Sequence, residues 1–375
     1  MKITILTSPF GCIPPHAIGA IEKRWYNVAK EFVVEGHDVE FIAKKPDGIK
    51  SKTRNDNGLK IKFLHGYQWK KSRIINLSLD FIYSLKALLC LRKTDIVVFN
   101  TVFSPILSLF FRWKMKVSIY NVARFPKGQF KYFKHIDRLS CVSAAVYNEL
   151  IRQTPQRKNQ AKIISNPVDT AVFQYIDEKQ ADSIIIMYAG RIHPEKGLDI
   201  LVQAYEQIVS ENTKQKIILR LVGATSIEKG GGGTKYIDYL KSLTRQEIEF
   251  VPPIYSPNDL WNEIVQCNIF CYPSIAEQGE TFGVAPLEAM AAGRATVVSA
   301  LECFQDFAKD GENALVFNHR ENTIENLKTA LCQLVENQDL RKQLGIKANQ
   351  TAQQFSNQNI AKTYLEDFYK LLKNK

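Results

Sequence analysis

Apolar and polar positions along this chain switch repeatedly between the short runs of a buried strand and the 3.6-residue spacing of an amphipathic helix. "KITILT" is a short apolar run, followed by the glycine-bearing loop "PFGCIPPHAIGA". Ile21, Trp25, Val28 and Phe32 then share one helical face, Gly36 ends the pattern, and "HDVEFIAKK" restores a strand. This opening predicts a βαβ unit and hence a parallel sheet. Further strands are predicted at "TDIVVFN", "KVSIYNV", "RLSCVS" and "AKIISNP". A second series starts near residue 183. "SIIIMYAG" reads as a strand and "GLDILVQAYEQIVSE" as a helix with Leu198, Leu201, Tyr205 and Ile208 on one stripe. "KIILRLVG", "IEFVPPI", "NIFCYPS" and "ATVVSA" continue it. Two doubly wound units are predicted, hinged near "NPVDTAVFQYIDEKQADS", where proline and polar residues interrupt the pattern. The closing stretch "FSNQNIAKTYLEDFYKLLKNK" is an amphipathic helix with Ile360, Tyr364, Phe368 and Leu371 on its apolar face.

The chain has 375 residues, more than one core ordinarily holds, which agrees with two domains. No apolar run approaches the roughly 20 residues of a membrane span, and the first residues break too soon to read as a signal peptide. The seven cysteines are odd in number and scattered, against a disulfide framework. Together these features predict a cytosolic protein. Cys267 and Cys271 flank "NIF" with no second pair to complete a metal site, so burial is expected for both. Charge is uneven: residues 1–168 hold 29 basic and 11 acidic side chains, a net of +18, whereas the remainder holds 21 and 27, a net of −6. The basic half fits a nucleic acid, an anionic lipid surface or a phosphorylated substrate.

Three stretches carry candidate chemistry. In "EQGETFGVAPLEAMAAGRATVV", residues 277–298, Pro286 suits the first turn of a helix, Gly293 suits its end, and Glu288 is expected in the first turn. Glu280 lies in the preceding loop, and Phe282, Gly283 and Val284 offer backbone N–H groups at the helix start. The two carboxylates suit sugar hydroxyls with phosphates close by. The plainer alternative is a solvated loop acid and a partner for the helix dipole. In "AGRIHPEKG", residues 189–197, Gly190 ends a strand, and Arg191 and Lys196 follow at the sheet's carboxyl edge, where two cations match a diphosphate or form a solvated basic loop. In "GCIPPHAIGAIE", Gly19 and Ala20 permit close backbone approach to a phosphate. The tetraglycine at 230–233 reads as a flexible loop, with a phosphate cradle as the alternative. No GxGxxG, no P-loop and no DxD pair occurs, so no metal site and no bound cofactor is expected.

These motifs together resemble glycosyltransferase family 4, retaining transferases of the GT-B fold. The resemblance rests on "IGAIEKRWYNVAKEFVVEGHDVEFI", "DRLSCVS", "IISNPVD", "YAGRIHPEKGLDILVQAY" and "SIAEQGETFGVAPLEAMAAGRATVVS". The last holds the family's pair of glutamates eight apart, here Glu280 and Glu288. The resemblance implies two Rossmann-like domains facing across a cleft. Residues 1–168, joined by a terminal helix at about 357–375 that crosses back, would bind the acceptor. Residues 169–356 would bind the nucleotide-sugar donor. It further implies that Glu288 holds the ribose, that Glu280 contacts the donor sugar, and that the amides of Phe282, Gly283 and Val284 hold its hydroxyls or phosphate. Arg191 and Lys196, with the backbone at Gly190, would neutralise the leaving diphosphate. Gly19 and Ala20 would approach that diphosphate from the first domain, and Val251 would border the base.

Two departures from the family pattern stand out. Its usual Gly-Gly is Gly19-Ala20 here, and no histidine follows "KVSIYNV", where Ala123 and Arg124 stand instead. His135 is too far along and is expected on a helix. Arg124 and Lys127 remain as acceptor or phosphate contacts, or as plain surface charge. The expected partners are a nucleotide-sugar and a glycan or lipid-linked acceptor of cell-surface polysaccharide or glycolipid synthesis. Same-fold epimerases or phosphorylases, a catalytically dead partner subunit and a basic nucleic-acid-binding protein are the rivals; no nucleic-acid-binding motif occurs. Residues 67–93 and 104–116 mix apolar and aromatic residues with basic clusters. They read either as core helices or as a peripheral contact with the anionic inner face of a membrane. In the second reading the first stretch forms a helix that buries an apolar stripe and turns Lys70, Lys71 and Arg73 outward.

Overall fold

A computed structural model describes residues 1–15, 19–178, 182–211 and 215–375. The chain forms two compact units, Met1–Pro167 with Asn357–Lys375, and Val168–Ser356. The fold is GT-B, with one mainly parallel sheet in each unit.

The first unit runs β1 (Lys2–Leu6), α1 (Ala20–Val34), β2 (Asp38–Lys44), β3 (Thr53–Asp56), β4 (Leu59–Leu64), α2 (Arg73–Cys90), β5 (Thr94–Phe99), α3 (Ser104–Leu107), β6 (Met115–Val122), β7 (Arg138–Cys141), α4 (Ala144–Gln153) and β8 (Ala161–Ile163). Its sheet has the order β3-β4-β2-β1-β5-β6-β7-β8, parallel except where β3 meets β4. The central strands are β-branched and buried on both faces, as helix-covered parallel strands must be. The β3–β4 hairpin turns at Asn57 and Gly58, both with positive φ. Asn-Gly is the sequence signal of such a turn.

The second unit runs β9 (Ser183–Ala189), α5 (Leu198–Glu211), β10 (Lys216–Val222), α6 (Gly233–Ser242), β11 (Ile248–Val251), α7 (Pro257–Ile264), β12 (Ile269–Tyr272), α8 (Val284–Ala291), β13 (Ala295–Ser299), β14 (Leu315–Phe317), α9 (Thr323–Glu336) and α10 (Gln338–Gln354). Its sheet has the order β11-β10-β9-β12-β13-β14, parallel throughout. The strand order reverses between β9 and β12, so the loops that follow these two strands leave the same point of the carboxyl edge.

The last helix, α11 (Asn357–Lys373), belongs to the first unit and packs on α1. Tyr364 lies 5.0 Å from Trp25 and Phe368 lies 5.8 Å from Phe32, centroid to centroid. Buried Asp367 takes two bonds from the Arg138 guanidinium at 2.8 and 2.9 Å, tying α11 to β7. Arg24, also buried, donates to Asn121 at 2.8 Å, to the Ile164 carbonyl at 3.0 Å and to the Tyr364 hydroxyl. Cys267 and Cys271 are buried in the second unit, and burial pushes the Cys267 thiol up to about 12.

Candidate active site

Loop 190–197 leaves β9 and is held from several sides. The Gly190 amide donates to Val222 at 2.9 Å, and the Tyr188 hydroxyl donates to the Arg191 carbonyl at 2.9 Å. His193 caps a single 3₁₀ turn at Pro194–Lys196, and Gly197 follows at φ +65°. A side chain at Gly197 would meet the Pro273 carbonyl at 2.2 Å, so glycine is what lets the loops after β9 and β12 touch. The Ile275 amide then donates to the Glu195 carbonyl at 3.1 Å.

This contact brings together Lys196 and Glu280, 84 positions apart. The Lys196 ammonium lies 2.6 Å from Glu280 Oε2, and the side chains are only 7% and 12% exposed. The Tyr272 hydroxyl donates to the same carboxylate oxygen at 3.1 Å. The Tyr272 ring stacks on Tyr188 at 5.4 Å and lies 5.5 Å beneath the Lys196 ammonium. Burial, reinforced by the Glu280 charge, drives the Tyr272 phenol well above its ordinary value, so its proton stays in place to donate. Arg191 is more open: it donates to Glu195 at 2.5 Å and to the Gly230 carbonyl at 3.1 Å. Glu195 was not singled out by sequence, although it stands between the two cations. With Arg191, Lys196, Glu195 and Glu280 all charged, the cluster has no net formal charge. The cations are fixed in place by acids.

Gly283, at φ +89°, precedes α8 without a side-chain cap. A Cβ there would meet the Phe304 ring at 2.4 Å. Among the described residues the amides of Phe282, Gly283 and Val284 have no protein acceptor, and Pro286 at the third helical position has no N–H. The helix end is thus left with unpaired backbone donors and the positive end of its dipole. Gly293 ends α8, donating to Met290 at 3.0 Å, while Arg294 donates to Ala289 at 3.0 Å, the paired closure of a Schellman turn. The helix starts at Val284, which corrects the expected place of Glu288: it is buried in the second turn. As helical side chains lean toward the N-terminus, that position still serves the open end.

Other expectations fare differently. The tetraglycine leads from a 3₁₀ turn at Ile227–Lys229 into α6. The four amides donate to the carbonyls of Ile227, Ser226, Ile192 and Thr225, leaving no backbone donor for a phosphate cradle. Val251 is the last residue of β11, and its carbonyl accepts from Gly223 at 3.0 Å. In the first unit, Gly19 is the N-cap of α1 and Ala20 its first residue. Residues 16–18 of the same loop lie outside the described residues. Beside Gly19 sits Glu22, buried, accepting from the Ser8 hydroxyl at 3.1 Å. A Cβ on Gly11 would fall 2.1 Å from the Glu22 carboxylate. The room that sequence assigned to a phosphate therefore also accommodates this acid. An acid at the third helical position after a glycine was the available signal. Arg124 and Lys127 are exposed beyond β6. His135 lies in a turn, not on a helix, with Nε2 facing the Pro105 carbonyl at 2.5 Å.

Two known sequence families match the chain: glycosyltransferase family 4 over residues 21–172 and glycosyl transferases group 1 over residues 173–351. A D-inositol 3-phosphate glycosyltransferase of Nocardioides is 24% identical over 58% of this chain and 50% of its own length. The chain thus spans about half the length of that curated relative. Sucrose-phosphate synthase from Thermosynechococcus elongatus superposes with a TM-score of 0.81 over both full chains at 18% identity. Anabaena HepE, solved with UDP and glucose, superposes at 0.72 over 98% of this chain and 99% of its own, at 16% identity. At these identities the likeness in structure speaks for the fold.

Proposed function

The chain belongs to glycosyltransferase family 4, and on that premise we propose that it moves a sugar from a nucleotide-diphosphate donor to a hydroxyl acceptor, with retention at the anomeric carbon and without a divalent metal. The observation that carries this reading is the Lys196–Glu280–Tyr272 cluster beside the open N-terminus of α8. One ammonium proton of Lys196 serves Glu280, and its remaining donors are available to a leaving diphosphate. Arg191 supplies a second cation by exchanging Glu195 for phosphate oxygens. Because the cluster is neutral overall, the amides of Phe282, Gly283 and Val284 and the dipole of α8 share the added negative charge. Donors fixed before the reaction starts need no reorganisation as charge develops on the leaving group. Glu280 Oε1 is the oxygen left for a sugar hydroxyl, while Oε2 is held by Lys196 and Tyr272. Glu288 takes the ribose, and Val251 borders the base. The first unit takes the acceptor, with Arg124 and Lys127 as its cationic contacts. A glycan or lipid-linked glycan of surface polysaccharide synthesis fits the basic charge of that half.

The test is a panel of UDP-, GDP- and ADP-sugars, read as nucleoside diphosphate release and acceptor glycosylation, with and without EDTA. One donor turned over equally in both conditions, with product of unchanged anomeric configuration by proton NMR, is the expected result. Activity lost to EDTA and restored by magnesium or manganese overturns the metal-free reading. Binding of none of the panel overturns the donor assignment.

A further inference from the structure

Helix α2 leaves most of its large apolar side chains in solvent. Its buried face carries Asn76, Asp80, Tyr83, Ser84, Ala87 and Leu88. Its open face carries Ile74, Ile75, Phe81, Ile82, Leu85 and Leu89, with Ile74 77% exposed. At 100° per residue these six fall within an arc of about 120°, the width of a face that normally meets a core. The expectation that this stretch buries its apolar stripe is therefore met only by Tyr83, Ala87 and Leu88; the rest of the inner face is polar and held by hydrogen bonds. Asn76 exchanges bonds with the backbone of Lys70 at 2.9 and 2.7 Å. Asp80 accepts from the amides of Val102 and Phe103 at 3.1 and 3.0 Å and from the Ser84 hydroxyl at 3.2 Å.

The segment after β5 widens the same surface. Phe103 meets Phe81 at 5.4 Å, and the Lys114 ammonium donates to the carbonyls of Leu88 and Leu89 at 2.9 Å each. Between them Phe110 and Trp113 stand 73% and 67% exposed. Contiguous apolar surface of this kind marks an interaction site. Its border is cationic: Lys70, Lys71 and Arg73 are exposed at one end of α2, Lys86 on its flank, and Arg92 and Lys93 beyond its other end. From residue 67 to 116 the only acids are Asp80, which is buried, and Asp95, which is paired with Lys116 at 2.8 Å. A second copy of this chain meeting this face across a two-fold axis would bring those cations together. No helix among the described residues is long and apolar enough to cross a membrane.

We propose that α2 and the segment 104–114 dock the protein on a bilayer carrying anionic lipids. The apolar and aromatic residues enter the headgroup–acyl boundary, and the flanking lysines and arginines meet the headgroups. This surface lies wholly in the first unit and its test reads no transfer activity, so the proposal stands or falls apart from the function proposed above.

The experiment is flotation of the full chain with vesicles of phosphatidylcholine alone and of phosphatidylcholine with phosphatidylglycerol, at low and high salt. Recovery with the anionic vesicles, falling as salt rises, is expected. Each interfacial cation contributes about fivefold in partitioning, so replacing Lys70, Lys71 and Arg73 together with glutamine lowers recovery about a hundredfold. Leu89→Glu with Phe110→Glu abolishes it while the circular dichroism and Tm stay unchanged, since both side chains are already in solvent. Four results overturn the proposal: no flotation with either vesicle at low salt, equal flotation with both, full anionic binding by the double glutamate variant, or a dimer in place of flotation that the same variant dissociates.

Discussion

Both units reverse strand order beside their first strand, and they fill the two reversal points with different chemistry. Beside β9 the second unit places full charges in contact, Lys196 against Glu280, under a tyrosine hydroxyl. Beside β1 the first unit places an amide chain with, among the described residues, no ion pair in it: Asn100 donates to the Leu6 carbonyl at 3.0 Å, Asn121 donates to Asn100 at 2.8 Å, and the buried Arg24 donates to Asn121. Many of the first unit's cations stand on its surface instead. An ion pair this little exposed resists screening and keeps its geometry, which suits charge developing at one atom. Separate exposed cations act additively over a wide surface and weaken with salt. On the function proposed above, the second unit is built for the reaction and the first for holding an extended, anionic acceptor.

The largest expected effect breaks the first unit's frame. Asp367→Ala strands the Arg138 guanidinium without its buried carboxylate and should cost about 3 to 5 kcal/mol in urea unfolding. A loss under 1 kcal/mol would mean that water reaches Arg138 and that α11 is held by its aromatic face alone. Next comes the second unit's pair. Lys196→Ala should lower kcat about a hundredfold to a thousandfold, the scale of losing one fixed transition-state donor. Glu280→Ala added to it should cost less than the two single losses combined, because the two act as one unit. Fully additive losses would show that Lys196 and Glu280 act independently, and an unchanged kcat in the folded Lys196 variant would remove the leaving-group role.

How much of this was legible beforehand follows from which forces are local. The helix α8 and its end could be read because Gly293 and the "LEAMAA" run act within one turn. The apolar face of α11 could be read because period and burial coincide. Helix α2 has the same apolar period, yet periodicity reports only that a helix has two faces, not which one meets the protein. That was decided by Asp80 finding amide partners at Val102 and Phe103, a contact between separate elements. The neutrality of the cluster escaped for the same reason. Arg191 and Lys196 look like free cations until Gly197 brings β12's loop, and Glu280 with it, against them. The alternative reading of the tetraglycine as a cradle fails for a related reason: its amides are spent on carbonyls that lie up to 40 positions away.

The smallest expected effect refines the comparison at a single oxygen. Tyr272→Phe keeps the ring between Tyr188 and Lys196 and removes only the hydroxyl that donates to Glu280. If that bond serves to orient the carboxylate, kcat should fall about tenfold, a loss of about 1.4 kcal/mol, with KM for the donor little changed. A second reading comes from alkaline stability. The phenol lies well above its ordinary value of 10.0 because burial, and then Glu280, disfavour the phenolate in the folded state. Its contribution to stability is therefore complete below pH 10 and declines as pH rises past that point, where the unfolded chain ionises and the folded one does not. Tyr272→Phe should accordingly be less sensitive than the parent to a rise from pH 9 to 11 in thermal unfolding. An unchanged alkaline slope together with an unchanged kcat would show that the hydroxyl neither orients Glu280 nor is shielded with it.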